Sequence, residues 1–205
     1  MDPSHVCLID LQLSNASFEK YEVNQEGSFA LRLDDITKLL KNFNNKDSIR
    51  LYTSENIINI ETKTSKTQLS MIEPSSVNCP LPKIPYTSRV TITLDALKRS
   101  LKQIETVSDY TTLETTTNRN FILSGKGDNG GSVITFERGM EEIPDIEVKE
   151  PSNTTYSLEY LLPFIKAIKS SVLTLEYSNK QAVRIEAHID NISKLFFYLA
   201  PRVED

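Results

Sequence analysis

Tryptophan is absent from these 205 residues, and there are only two histidines and two cysteines. Cys7, Cys79, His5 and His188 do not make a usual zinc set, so no metal site is expected. Two histidines also leave little for a nucleophile–base pair, and no nucleophile motif surrounds any serine. No apolar run approaches the roughly 20 residues that a membrane-spanning helix needs. The opening MDPSHVCLID lacks the basic and apolar regions of a signal peptide. Without a secretion signal, the acceptor triplets at Asn15, Asn153 and Asn191 carry little weight. Glycine is scarce, six in all, and four of them fall in Gly125–Gly131, GKGDNGG. That segment lacks the spacing of a phosphate loop and lies between two strand patterns, so it reads as a hairpin turn at Asn129-Gly130. An enzyme is therefore not expected, and neither is a cofactor. Cys7 reads as a core residue and Cys79 as part of a loop. No disulfide is expected between them, and a reducing, intracellular compartment is the simplest reading.

What the sequence does contain is a repeat. LDDITKLLKNFNNKDSIRLYTSENIINIE (33–61) recurs as LEYLLPFIKAIKSSVLTLEYSNKQAVRIE (158–186). Leu33 aligns with Leu158, Lys41 with Lys166 and Glu61 with Glu186, about 125 residues apart. Leu51 meets Leu175 after a one-residue shift in the loop. Each copy reads as a short amphipathic helix followed by two alternating strands. The period is too long for a solenoid and implies two copies of one domain. In the second half a strand (89–93) and a helix (94–107) precede the repeat. The same offset places their first-half counterparts before Met1, so the first domain reads as lacking an opening of roughly forty residues.

Alternation predicts strands at 5–13, 18–23, 48–53, 57–62, 67–72, 89–93, 111–116, 120–124, 132–137, 173–177, 182–189 and 194–200. On the first, Cys7, Ile9, Leu11 and Leu13 form the expected core face, and Val6 and Leu8 lie opposite. Ile36, Leu39, Leu40 and Phe43 form the expected buried stripe of the first helix, and Leu94, Leu97, Leu101 and Ile104 that of the second. Ser157 is a good N-cap for the third, which Pro163 should kink or delay. Glu141–Glu150 reads as an acidic edge segment. EPSSVNCPLPKIPYT, with four prolines, has neither period. The expected organisation is a domain at 1–73, a connector at 74–87 and a second domain at 88–205. The fold class is α+β, with helices lying on one side of antiparallel sheets.

A net charge of −5 argues against a general nucleic-acid binder. The helices depart from that average. Lys38, Lys41, Lys98, Arg99, Lys102, Lys166 and Lys169 lie mostly toward their C-terminal halves, and acids open them. Compensation of the helix dipole accounts for part of this pattern. A basic helical surface on an acidic protein also suits sequence-blind contact with phosphates.

MDPSHVCLIDLQL, LDDITKLLK and the terminal FFYLAPRVED, together with the duplicated unit, resemble the sliding clamps of archaea and eukaryotes, the PCNA family, and the archaeal members more closely. The resemblance implies a ring, usually a trimer, closed around double-stranded DNA with helices inside. It implies tethering of DNA polymerase, clamp loader, nuclease or ligase through docking peptides, with no catalysis and no membrane. By position, Lys38, Lys41, Lys98, Arg99, Lys102 and Lys166 would face the hole. Met1, His5, Val6, Leu8, Ile84, Ala182, Tyr198, Ala200 and Pro201 would form the peptide pocket, with Ala182 where the family commonly has proline. Leu69 and Met71 on one subunit edge would meet Val133 and Ile134 on the next. The resemblance leaves open a homotrimer, a short subunit of a heteromeric ring, a late start of the recorded sequence, and a clamp-fold peptide-binding protein that does not encircle DNA. The first domain is expected to be the less stable half or to be completed by a partner.

Overall fold

A computed structural model describes residues 4–44, 46–73 and 81–203. The described chain forms two compact units, Met1–Tyr21 with Pro82–Asp205, and Glu22–Leu81. The second unit ends at Leu81, within the proline-rich segment. The N-terminal strand, however, packs with the C-terminal half. The cause is β1 (Cys7–Gln12), which pairs residue for residue with β13 (Lys194–Leu199).

The larger unit is built from two antiparallel sheets and two helices. One sheet runs β1-β13-β12-β11-β5-β9. Its remaining strands are β5 (Ser88–Thr93), β9 (Asp145–Val148), β11 (Val172–Tyr177) and β12 (Val183–His188). The other sheet runs β10-β6-β7-β8, with β6 (Tyr110–Thr115), β7 (Phe121–Gly127), β8 (Gly130–Phe136) and β10 (Ser152–Ser157). Helices α2 (Leu94–Glu105) and α3 (Leu158–Ala167) pack against each other and against strands of both sheets. Inward apolar residues of β5 to β13, the stripe Leu97, Leu101 and Ile104, and Leu161 and Ile165 of α3 make one apolar core. Phe164 stacks on Phe197 at 4.4 Å, which fixes α3 over β13. Pro163 lies inside α3 without ending it, and the helix runs only ten residues.

The smaller unit holds α1 (Leu33–Leu40) and a sheet of β2 (Arg50–Ser54), β3 (Ile57–Glu61) and β4 (Lys66–Ser70). The repeat read from sequence is visible in register: Leu51 pairs with Ile60, and Leu175 with Ile185. Both copies also pair the repeated glutamate with a lysine on the next strand, Glu61 with Lys66 at 3.1 Å and Glu186 with Lys194 at 2.7 Å.

Four expectations change. No residue of α1 is buried, and Leu40 is 51% exposed. Its counterpart α3 packs against α2 within the larger unit, and the smaller unit has no second described helix. Ile9, Leu11 and Leu13 are exposed although β1 directs Ile9 and Leu11 to the core face, whereas Leu8 opposite is 8% exposed. No strand forms at 18–23, where Phe18 and Tyr21 instead meet at 5.4 Å. A strand does form at 152–157, where serine and threonine hold the inward places.

The glycine-rich segment is a hairpin, with Gly127 opposite Gly130 around Asp128-Asn129. Gly125 and Gly127 are there because β7 crosses the end of α2. A methyl group at Gly125 would collide with Ile104 and lie 2.9 Å from the Tyr110 carbonyl oxygen, and one at Gly127 would collide with the Val107 carbonyl. Gly125→Ala should therefore lower the unfolding free energy by about 1–3 kcal/mol, measured by urea titration with a probe in the C-terminal half.

Candidate docking face and basic helices

All three helices carry an acid in the first turn and a lysine in the last. This arrangement suits the helix dipole and places cations together at the C-terminal ends. On α2, Lys98, Arg99 and Lys102 line a shallow depression with Asp95. Burial of Leu97, Leu101 and Ile104 forces them outward. Lys98 is half-buried and donates to the Ile168 carbonyl at the end of α3, 3.5 Å away. Arg99, Lys102 and Lys166 are exposed. In the smaller unit Lys38 is exposed in the last turn of α1, and Lys41 caps that helix.

The docking residues expected from sequence, apart from Met1 (outside the described residues), all lie in the larger unit. Directly paired residues share a face of a sheet. Registers therefore place Leu8, Tyr198, Arg184, Glu176, Arg89 and Glu147 in one row across β1, β13, β12, β11, β5 and β9, on the face away from the core. With strands about 4.8 Å apart the row is about 24 Å long. Leu8 and Tyr198 are buried, and Val6, Ile84, Ala182, Ala200 and Pro201 are half-buried. His5 is exposed, with left-handed backbone (φ 59) at the entry to β1.

Hydrogen bonds fix each wall. The Ala200 N–H donates to the Val6 carbonyl at 2.9 Å, and the Arg202 N–H donates to the Thr155 carbonyl at 2.8 Å, which holds Pro201 between them. The Arg202 guanidinium also lies 3.9 Å over the Tyr110 ring. The loop before Ala182 is tied down by the Tyr156 phenol, which donates to the Gln181 carbonyl at 2.8 Å. Burial pushes that phenol upward, so it stays neutral and a donor. The end of the connector is pinned by Ser178, whose hydroxyl donates to the Pro85 carbonyl at 3.0 Å and accepts from the Thr87 N–H at 2.9 Å. Sequence reading missed Ser178, Arg184, Glu176 and Tyr86. The polar alternation of Glu176 and Arg184 was visible, but their adjacency to Tyr198 depends on register.

The edge residues are distributed as follows. β8 ends the four-stranded sheet, with Val133 68% exposed and Ile134 half-buried. β4 ends the three-stranded sheet, with Leu69 half-buried; Met71 follows the strand and donates its N–H to the Asn56 carbonyl at 2.9 Å. Among the described residues no group of three or more metal-ligating side chains converges. None of the described helices is long and apolar enough to cross a membrane.

An α+β unit with basic helices on its core side and an apolar patch on its outer sheet is the architecture of a DNA clamp subunit, and comparison with known proteins bears on it directly. Residues 1–78 match the N-terminal domain and residues 80–202 the C-terminal domain of the family described as proliferating cell nuclear antigen. The chain belongs to that family. It is 42% identical over 208 residues to the DNA polymerase sliding clamp of Nitrosopumilus maritimus, across 100% of this chain and 84% of that protein. Its fold is similar to that of PCNA from Thermococcus kodakaraensis (TM-score 0.87, 23% identity, 98% of this chain and 84% of that one). It is likewise similar to A. fulgidus PCNA, solved with the C-terminal region of FEN-1 bound (TM-score 0.89, 21% identity, 100% and 84%).

β1 is also anchored at its far end, where Asp190 accepts from the N–H groups of Ile192 (2.8 Å) and Ser193 (2.6 Å) and from the Ser17 hydroxyl (3.0 Å). These bonds, led by that of Ile192, hold its carboxyl below the ordinary value. A depressed pKa stabilises the folded state above the unfolded value near pH ~4, and the contribution is lost as pH falls through the folded value. Amide-exchange protection at Ser17 and Ser193 should decline on acidification below about pH 4, and Asp190→Asn should remove that pH dependence.

Proposed function

We propose that this chain is a subunit of a DNA sliding clamp, a ring that encircles duplex DNA and tethers DNA polymerase and other DNA enzymes without catalysing a reaction itself. Its two clamp domains are 1–73 and 88–205, joined by 74–87. The observation that supports this reading most strongly is the duplicated helix–hairpin unit with cations at the end of every helix on a chain of net charge −5. Lys38, Lys41, Lys98, Arg99, Lys102 and Lys166 face the duplex. Contacts from lysines at helix ends neutralise phosphates and read no base, which permits sliding. Acidic charge elsewhere keeps nucleic acid off the outer faces.

The outer patch of Met1, His5, Val6, Leu8, Ile84, Ala182, Tyr198, Ala200 and Pro201 takes an apolar side chain of a docking peptide. The complex of A. fulgidus PCNA with the C-terminal region of FEN-1 supports a docking role of this kind. Subunits join by adding β4, with Leu69 and Met71, to β8 of the next subunit, with Val133 and Ile134. Each is an edge strand among the described residues, and backbone pairing satisfies the groups such an edge exposes.

Two experiments test the two surfaces. Replacing Lys98 and Lys102 by Ala should lower the slope of log affinity against log salt by about 2 for a 30-base-pair duplex of any sequence. An unchanged slope would take those lysines off the DNA face. Replacing Tyr198 and Pro201 by Ala should weaken a labelled peptide from the C-terminal region of FEN-1 at least tenfold in anisotropy titrations, equivalent to about 1.4 kcal/mol. Thermal unfolding of the variant checks that the C-terminal half stays folded.

A further inference from the structure

The row across the outer sheet does not end at its apolar part. Next to Tyr198, one strand over, stands Arg184. Its guanidinium lies between two rings, 5.4 Å from that of Tyr86 and 5.5 Å from that of Phe196. Its Nε donates to Glu176 at 2.6 Å, and Nη2 pairs with the same carboxylate oxygen. The other oxygen of Glu176 is 4.0 Å from Arg89. Two cations thus share one anion, and they differ in exposure. The Glu176 side chain is 16% exposed, Arg184 31% and Arg89 46%. Beside the apolar patch a docked chain would therefore meet the Arg184 cation first, with the Glu176 carboxylate beneath it and Arg89, opposite exposed Glu147, beyond.

A guanidinium has five N–H donors in a planar fork, and Glu176 occupies one edge of it. The rings of Tyr86 and Phe196 and the grip of Glu176 hold the plane in place, so little freedom remains to be lost when a ligand arrives. Tyr86 belongs to the end of the connector, and its hydroxyl is buried with no hydrogen-bond partner among the described residues. Among the described residues that ring is held by packing and by the Arg184 guanidinium over it.

We infer that Arg184, backed by Glu176 and flanked by Arg89, is a specificity-determining residue of the docking face, and that it selects peptides with a carboxylate side chain close to the apolar anchor. This rests on the docking reading above. A peptide with lysine at that place meets Arg184 and Arg89 with like charge, whereas aspartate or glutamate takes up donors that Glu176 and the Tyr198 hydroxyl leave open.

The test uses the full chain and labelled variants of a FEN-1 C-terminal peptide in which each position outside its apolar residues is, in turn, Asp, Ala or Lys. Affinities are read by anisotropy. At one position or two adjacent ones, the Asp peptide should bind about fivefold or more tighter than the Lys peptide, and the preference should shrink as salt rises. In the double variant Arg184→Met/Glu176→Gln, which leaves no unpaired buried charge, the ratio of Asp- to Lys-peptide affinities should fall below twofold, whatever the affinity of the Ala peptides. Arg184→Lys, which keeps charge but loses the fork, should retain part of it. Equal binding of Asp and Lys peptides at every position, or a preference that survives the double variant, overturns the inference and leaves the docking site intact. Failure of every peptide to bind overturns the docking reading itself.

Discussion

Pairing of β1 with β13 brings the two ends of the chain into one sheet. Much of what faces outward depends on it. The ladder places Leu8 beside Tyr198 and sets the Val6 carbonyl where the Ala200 N–H meets it. Because side chains in a strand alternate with a period of two, a slip of one residue would turn Leu8 inward and Ile9 outward and dismantle the patch. The structure guards against such a slip at both ends of the strand, by the Ala200–Val6 hydrogen bond and by the cluster of Ser14, Ser17, Asp190 and Ser193. Similar logic applies to Ala182, Pro85 and Thr87, which are held by hydroxyl groups from Tyr156 and Ser178 rather than by apolar packing.

A two-sided sheet gives the larger unit two separate chemistries. One face packs on α2 and α3, whose outward sides carry the cations. The other carries apolar residues at the β1 end and alternating charge beyond Arg184. The helix side presents cations on lysine and arginine stems. The sheet side presents groups fixed by hydrogen bonds and partly buried.

Much of this was legible in the sequence. The repeat, the helix stripes and most strands follow directly from period, and register carries the repeat into paired residues, Leu51 with Ile60 and Leu175 with Ile185. Three features were not legible, for separate reasons. β10 was missed because its inward positions are Ser152, Thr154 and Tyr156, and hydroxyls break the apolar alternation while still bonding across, Ser152 with Ser88 and Thr154 to the Ser178 carbonyl. α1 reads as an amphipathic helix with a buried stripe, but burial needs a neighbour as well as a pattern. The family resemblance implies Tyr198 as a site residue, whereas Arg184 comes beside it, and Glu176 beside Arg184, only when β11, β12 and β13 are placed side by side.

The central claim is encirclement of DNA, and topology tests it more directly than affinity does. The chain, any companion clamp subunits and the cognate loader with ATP would be incubated with nicked circular plasmid, then passed through a sizing column at high salt. The account predicts that the chain elutes with the circular DNA and is released when the plasmid is cut once. Equal retention on circular and linear DNA, or loss from both on raising the salt, would contradict it.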